Sequence, residues 1–160
     1  MEMTEPGELT VGVISDTHGL LRPQAAAALA GCGRIVHAGD VGADRVLEGL
    51  RRIAPVVAVR GNVDAEGALR GLPQELRLDL GSRRVLVVHD AGRLQLDPQA
   101  EGFAVVISGH THRALVAERD GVLFLNPGSA GPRRFDLPVT VAILIVGPRS
   151  VRARTVRLEV

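Results

Sequence analysis

The chain contains no tryptophan, tyrosine or lysine, and only three phenylalanines and one cysteine among its 160 residues. Each shortage excludes something. Without aromatic side chains there is no platform on which successive bases can stack, as single-stranded nucleic-acid binders require. The 19 basic residues, all arginine, stand against 18 acidic ones, and the formal net charge of +1 is not the footprint of a nucleic-acid-binding domain. Cys32, being alone, makes no intrachain disulfide; it fits a reducing, cytoplasmic setting and reads as a small buried residue near a helix end. The longest apolar run, Val139 to Val146, is far shorter than the ~20 residues of a membrane-spanning helix and reads as a buried strand. The acidic start, Met1 to Glu8, has no apolar signal-peptide region, so neither secretion nor an organelle address is expected. With 46% hydrophobic residues, a single domain over residues 1–160 is expected, its core built from Val, Leu, Ile and Ala.

What the chain does have is a repeated plan. Val11 to Ile14 is an apolar run that ends in Asp16 and His18. In extended backbone, residues two apart point to the same side, so these two side chains can reach one common point. An oxygen donor beside an imidazole suits first-row divalent metals. The plan recurs: Arg34–Ala38 closes in Asp40, Val56–Val59 in Asn62 and Asp64, Val85–Val88 in His89, Val105–Ser108 in His110 and His112, and Leu123–Leu125 in Asn126 with Ser129 after a tight turn. Six strand ends thus present polar groups, and in open α/β sheets ligands bind outside the carboxyl ends of the strands.

Between the first strands, Pro23 followed by Gln24 to Ala30 and Gly31 reads as a short helix. Val46, Leu47, Leu50 and Ile53 give Asp44 to Ile53 a helical period. The first sixty residues are therefore β-α-β-α-β, with parallel strands and right-handed crossovers. From Leu76 on the chain is strand-dominated, with Asp97–Glu101 able to form a short helix and Asp120-Gly121 predicting a tight hairpin. Two sheets packed face to face with helices outside bury this pattern most simply. Segments 65–74 and 131–138 read as the loops. Asp40 and Asp64 also suit helix N-caps; His37 is expected to pack or hydrogen-bond locally, and Asn126, Gly128 and Ser129 to shape a turn in the site wall.

Taken together, Asp16-x-His18, Gly39-Asp40, Gly61-Asn62-x-Asp64, His89 and Gly109-His110-x-His112 resemble, in order, the motifs of the calcineurin-like metallophosphoesterases, and within them the small phosphodiesterase branch related to vacuolar protein sorting 29. The resemblance implies a four-layer α/β/β/α sandwich of two mixed sheets and a metal-dependent phosphodiesterase acting on small phosphate esters. It implies two divalent cations, Mn²⁺ in the first place with Ni²⁺, Fe²⁺, Co²⁺ or Zn²⁺ as alternatives. Asp16, His18, Asp40 and His112 would hold one, and Asp40, Asn62, His89 and His110 the other, with a hydroxide bridging them as nucleophile. Asp40, Asn62 and Asp64 are the implied catalytic residues. The rival expectation is a protein-binding scaffold of the retromer-subunit type with a vestigial metal site, and a homo-oligomer is left open. One departure stands out: the family often has a histidine after the asparagine as general acid, and this chain has Val63.

Overall fold

The computed structural model of the chain describes residues 4–160. Its first part runs β1 (Leu9–Ile14), α1 (Pro23–Leu29), β2 (Arg34–His37), α2 (Asp44–Arg51) and β3 (Val56–Ala58); then follow β4 (Glu75–Leu80), β5 (Arg83–Val88), β6 (Val105–Ile107), β7 (Leu115–Arg119), β8 (Val122–Asn126), β9 (Thr140–Val146) and β10 (Val151–Arg157). Local chemistry accounts for the two helices. Pro23, with its φ already fixed, occupies the first turn of α1. In α2, Val46, Leu47 and Leu50 recur on one buried face, while Asp44 in the first turn and Arg51 in the last complement the helix dipole.

The strands form two five-stranded sheets, ordered β10-β9-β1-β2-β3 and β4-β5-β6-β8-β7. In the first, β1, β2 and β3 are parallel, with Ile14 opposite His37 and His37 opposite Ala58, and β9 joins β1 antiparallel. In the second, β5, β6 and β8 are parallel, flanked by antiparallel β4 and β7. Both sheets are thus mixed. The expected hairpin between β7 and β8 is present, with Asp120 and Gly121 at φ 53° and 76°.

Side-chain alternation divides the apolar residues into layers. Ile14, Ile35, Val141, Ile143 and Ile145 face α1 and α2, where they meet Leu29, Leu47 and Leu50. Val11, Val13, Val36, Ala142 and Leu144 face the second sheet, where they meet Val85, Val87, Val105, Ile107 and Leu125. Because β9 is apolar on both faces, all seven of its residues are buried. The outer face of the second sheet buries Leu86, Val106 and Val122 beneath segment 91–103, which supplies Ala91, Leu94, Leu96 and Phe103. Here the structure departs from expectation. That covering layer is a single 3₁₀ turn at Ala91–Arg93 and irregular turns, and Asp97–Glu101 forms a hydrogen-bonded turn rather than a helix, with Glu101 N donating to Asp97 O at 3.1 Å.

Candidate metal centre

All the parallel strands of the first sheet, and β5 and β6 of the second, end at the same edge of the sandwich, so Asp16, His18, Asp40, Asn62, His89, His110 and His112 emerge from neighbouring loops. Backbone hydrogen bonds continue past the strands and lock those loops together: Asp16 N to Gly39 O (3.0 Å), His18 N to Asp40 O (3.0 Å), and Gly109 N to His89 O (2.9 Å). The turns are tight. Asp16, His18, Asp40, His110 and His112 all lie in the left-handed region, at φ 54°, 46°, 54°, 72° and 62°. Asp and His tolerate this conformation better than most residues, yet strain of this kind costs of order 1–3 kcal/mol per residue and concentrates at functional sites. Two glycines permit the convergence. A methyl group on Gly109 would meet Asp16 Oδ2 at 2.7 Å, and one on Gly61 would collide with Asp40.

Each central carboxylate has one oxygen tied down and one turned inward. Asp16, with no exposed surface, accepts from the Ser15 hydroxyl (2.8 Å) and the His110 N–H (3.1 Å) on Oδ2. Its Oδ1 lies 3.4 Å from His112 Nε2 and 3.9 Å from His89 Nε2. Asp40 accepts from the Val63 N–H on Oδ1 (3.0 Å), leaving Oδ2 between His89 Nε2 (3.3 Å) and His18 Nε2 (3.7 Å). Donor atoms of Asp16, His18 and His112 lie within 4.8 Å of one another, as do those of Asp16, Asp40 and His89.

These donors fit divalent cations. Asp16 Oδ1, His18 Nε2 and His89 Nε2 are buried without a hydrogen-bond partner, although buried polar atoms are ordinarily satisfied. For His89 the tautomer follows from its neighbour: the Ala38 carbonyl, 2.8 Å from Nδ1, can only accept, so Nδ1 carries the proton. A neutral His89 therefore turns the Nε2 lone pair toward two carboxylates, an arrangement that a cation between them stabilises. Without a cation, the same carboxylates draw a proton instead. Burial pushes the His89 imidazolium down, but the Asp40 carboxylate, the Ala38 carbonyl and Asp16 outweigh it and raise its pKa. Burial opposes charge on Asp40 too; the His89 contact and the Val63 N–H prevail, taking it to about 2. Asp16 is raised above the usual carboxylate range by burial, and His112 is lowered by burial.

Other residues lie differently from expectation. His110 sits at the rim, its side chain 41% exposed, with Nε2 3.7 Å from Asp90 Oδ2 and its ring edge-on to His89. Asn62 is exposed and lines a cavity together with His89. Asp64, expected among the catalytic residues, is buried with both oxygens occupied, accepting from Val41 N (3.1 Å) and Gly61 N (2.9 Å) on Oδ2 and Gly42 N (3.0 Å) on Oδ1. It holds the loops that carry Asp40 and Asn62. His37 forms a local network: Gly39 N–H donates to Nδ1 (3.1 Å), so Nε2–H donates to Thr17 Oγ1 (3.0 Å), whose hydroxyl donates to Val41 O (2.8 Å). Asn126 braces Gly109 O (2.9 Å) and Ser129 donates to Asp16 O (3.1 Å). Sequence reasoning passed over Ser15 and Thr17. The only signal for them was their alternation with Asp16 and His18.

The calcineurin-like phosphoesterase superfamily domain model matches residues 9–147. The chain belongs to that family, whose members are metal-dependent phosphoesterases. A protein named a probable metallophosphoesterase in Methanocaldococcus jannaschii is 35% identical over 136 residues, covering 77% of this chain and 69% of that protein. Another from Methanothermobacter thermautotrophicus is 33% identical over 153 residues, covering 88% of each. Two solved structures share the fold: an archaeal phosphodiesterase, with TM-score 0.76 and 23% identity over 92% of this chain and 100% of that one, and vacuolar protein sorting 29 from Cryptosporidium parvum, with TM-score 0.75 and 19% identity over 96% and 99%.

Proposed function

We propose that the chain, as one domain over residues 1–160, is a phosphodiesterase with a dinuclear centre. The observation that carries this reading is the placement of Asp40 Oδ2 between His89 Nε2 and His18 Nε2, at 3.3 and 3.7 Å. A carboxylate so placed suits two cations ~3.5–4 Å apart, the separation used to clamp attacking and leaving oxygens. Asp16, His18, Asp40 and His112 would hold one cation, and Asp40, Asn62 and His89 the other, with His110 completing it from the rim. The mixed nitrogen and oxygen donors, with no thiolate, suit Mn²⁺ first and Ni²⁺, Fe²⁺, Co²⁺ or Zn²⁺ next. Such cations supply Lewis acidity and a water acidified to a pKa of roughly 7.

The chain's own residues do the rest. Asp64 fixes the loops bearing Asp40 and Asn62, Ser15 and the His110 N–H orient Asp16, and Ala38 fixes the His89 tautomer. Val63 stands beside the centre, half-exposed and without a proton to give, so leaving groups that need no protonation are favoured. The lone, buried thiol of Cys32 supports a cytoplasmic setting; among the described residues no helix is long and apolar enough to cross a membrane. The scaffold alternative accounts for the fold, but gives no reason for so many donor atoms turned inward and unpartnered. The deciding experiment is hydrolysis of bis-p-nitrophenyl phosphate after chelation and after addition of Mn²⁺. Turnover restored by metal, and faster than on p-nitrophenyl phosphate, supports the proposal; no turnover with metal bound favours the scaffold.

A further inference from the structure

We infer that the cavity beside the metal centre is a second anion site, and that the preferred substrates are phosphodiesters whose alcohol arm carries an additional phosphate. This rests on the phosphodiesterase reading above. The cavity, about 930 Å³, starts at Asn62 and His89 and runs outward between residues 60–77 and 88–96. That volume takes a small organic ligand well beyond one phosphoryl group.

Its charge is what assigns the ligand. Four arginines line it, and two are already neutralised. Arg77 Nε is 2.9 Å from Glu75 Oε2, with Glu101 3.9 Å from the same guanidinium, and Arg93 Nε is 3.6 Å from Asp90 Oδ2. Among the described residues, no carboxylate pairs with Arg60 or Arg70. The cavity's remaining carboxylate, Asp64, is saturated by its three backbone N–H donors. Arg60 is also anchored: its backbone N–H donates to Pro73 O (2.8 Å) and its guanidinium to Arg70 O (3.1 Å), fixing it against the segment that carries Arg70. Two uncompensated guanidiniums on one wall, two residues from Asn62 in the case of Arg60, form a fork for phosphate oxygens. None of the three phenylalanines lines the cavity, so charge rather than ring stacking discriminates.

The test compares thymidine 5′-(p-nitrophenyl phosphate) with the same ester bearing a 3′-phosphate. In both, water cleaves the bond between phosphorus and the p-nitrophenyl oxygen, giving the phosphomonoester, p-nitrophenolate and a proton. The expected result is a kcat/KM roughly tenfold or more higher for the 3′-phosphorylated ester, the scale of a charge-assisted hydrogen bond. That preference should shrink in Arg70→Ala, whose side chain is exposed, approach unity when Arg60→Ala is added, and partly return with lysine at both positions. Calorimetry of the Mn²⁺-loaded protein with thymidine 3′,5′-bisphosphate and thymidine 5′-monophosphate reads the same preference without turnover. Equal rates and equal affinities overturn the inference, as does a preference that survives both substitutions. If neither ester is cleaved, the phosphodiesterase reading fails, and the two affinities alone decide whether the anion site exists.

Discussion

Replacing Asp64 by Asn separates a scaffold role from a chemical one. The side chain is 1% exposed and takes three backbone N–H groups, two on Oδ2 and one on Oδ1. An amide has one oxygen. Placed at the Oδ2 position, it keeps Val41 and Gly61 but turns its NH₂ toward the Gly42 N–H, donor against donor. The lost hydrogen bond to the carboxylate is worth ~1.5–3 kcal/mol and the donor-against-donor contact adds to it, so the substitution should cost about 3 kcal/mol. In a chain of this size, each kcal/mol moves Tm by roughly 2–4 °C, giving a fall of about 6–12 °C. Thermal unfolding by circular dichroism in chelator reads this on the metal-free protein. Mn²⁺ affinity should weaken ~10–100-fold, as when an outer-shell partner is lost, while kcat at saturating Mn²⁺ is largely kept. The reasoning fails if the variant unfolds within about 1 °C of the native protein yet loses ~100-fold or more in kcat with the metal sites filled.

Other outcomes follow from named residues. Burial first, and then His89, holds His37 at a pKa of about 3 against an ordinary 6.5. Below pH 6.5 the unfolded chain therefore takes up a proton that the folded one refuses, and stability falls as pH drops toward 3; at ~1.36 kcal/mol per unit, His37 should cost about 2–3 kcal/mol between pH 7 and 4.5. Urea unfolding of metal-free native protein and His37→Gln at both pH values checks this, and equal pH dependence would contradict it. Asp40→Ala should lose both cations by elemental analysis and more activity than the ~10–100-fold typical of outer-shell losses; a variant that keeps two metals refutes the shared carboxylate. Native protein should cleave aryl phosphodiesters much faster than alkyl ones, and Val63→His should narrow that gap, since a positioned acid is worth ~10²–10⁴-fold mainly with poor leaving groups. Equal changes in kcat/KM for both esters would sink that expectation.

Much of this was legible in the sequence because six strands are apolar runs ending in polar groups, the first helix is bracketed by Pro23 and Gly31, and the second has a 3.6-residue period. The parallel first half, the Asp120-Gly121 hairpin and the convergence of Asp16, His18, Asp40, His89 and His112 all follow from local pattern. What was not legible depends on neighbours. Asp97–Glu101 has helix-forming side chains, but it spans only one turn over the outer face of the second sheet. A carboxylate after a strand looks the same in sequence whether it faces a cation or three N–H groups, so the partners of Asp64 are visible only in the fold. The left-handed backbone at Asp16, Asp40 and His112 arises only once the loops of adjacent strands bond to each other. His110 was expected among the ligands, and only the fold reveals its place at the rim with Asp90 beside it.

The central claim is that two cations share Asp40. Anomalous diffraction at the manganese edge from crystals soaked in Mn²⁺ tests it most directly. The expected result is two peaks ~3.5–4 Å apart, one bounded by Asp16, His18 and His112, the other by Asn62, His89 and His110, with Asp40 between them. A single peak, or two that do not share Asp40, would contradict it.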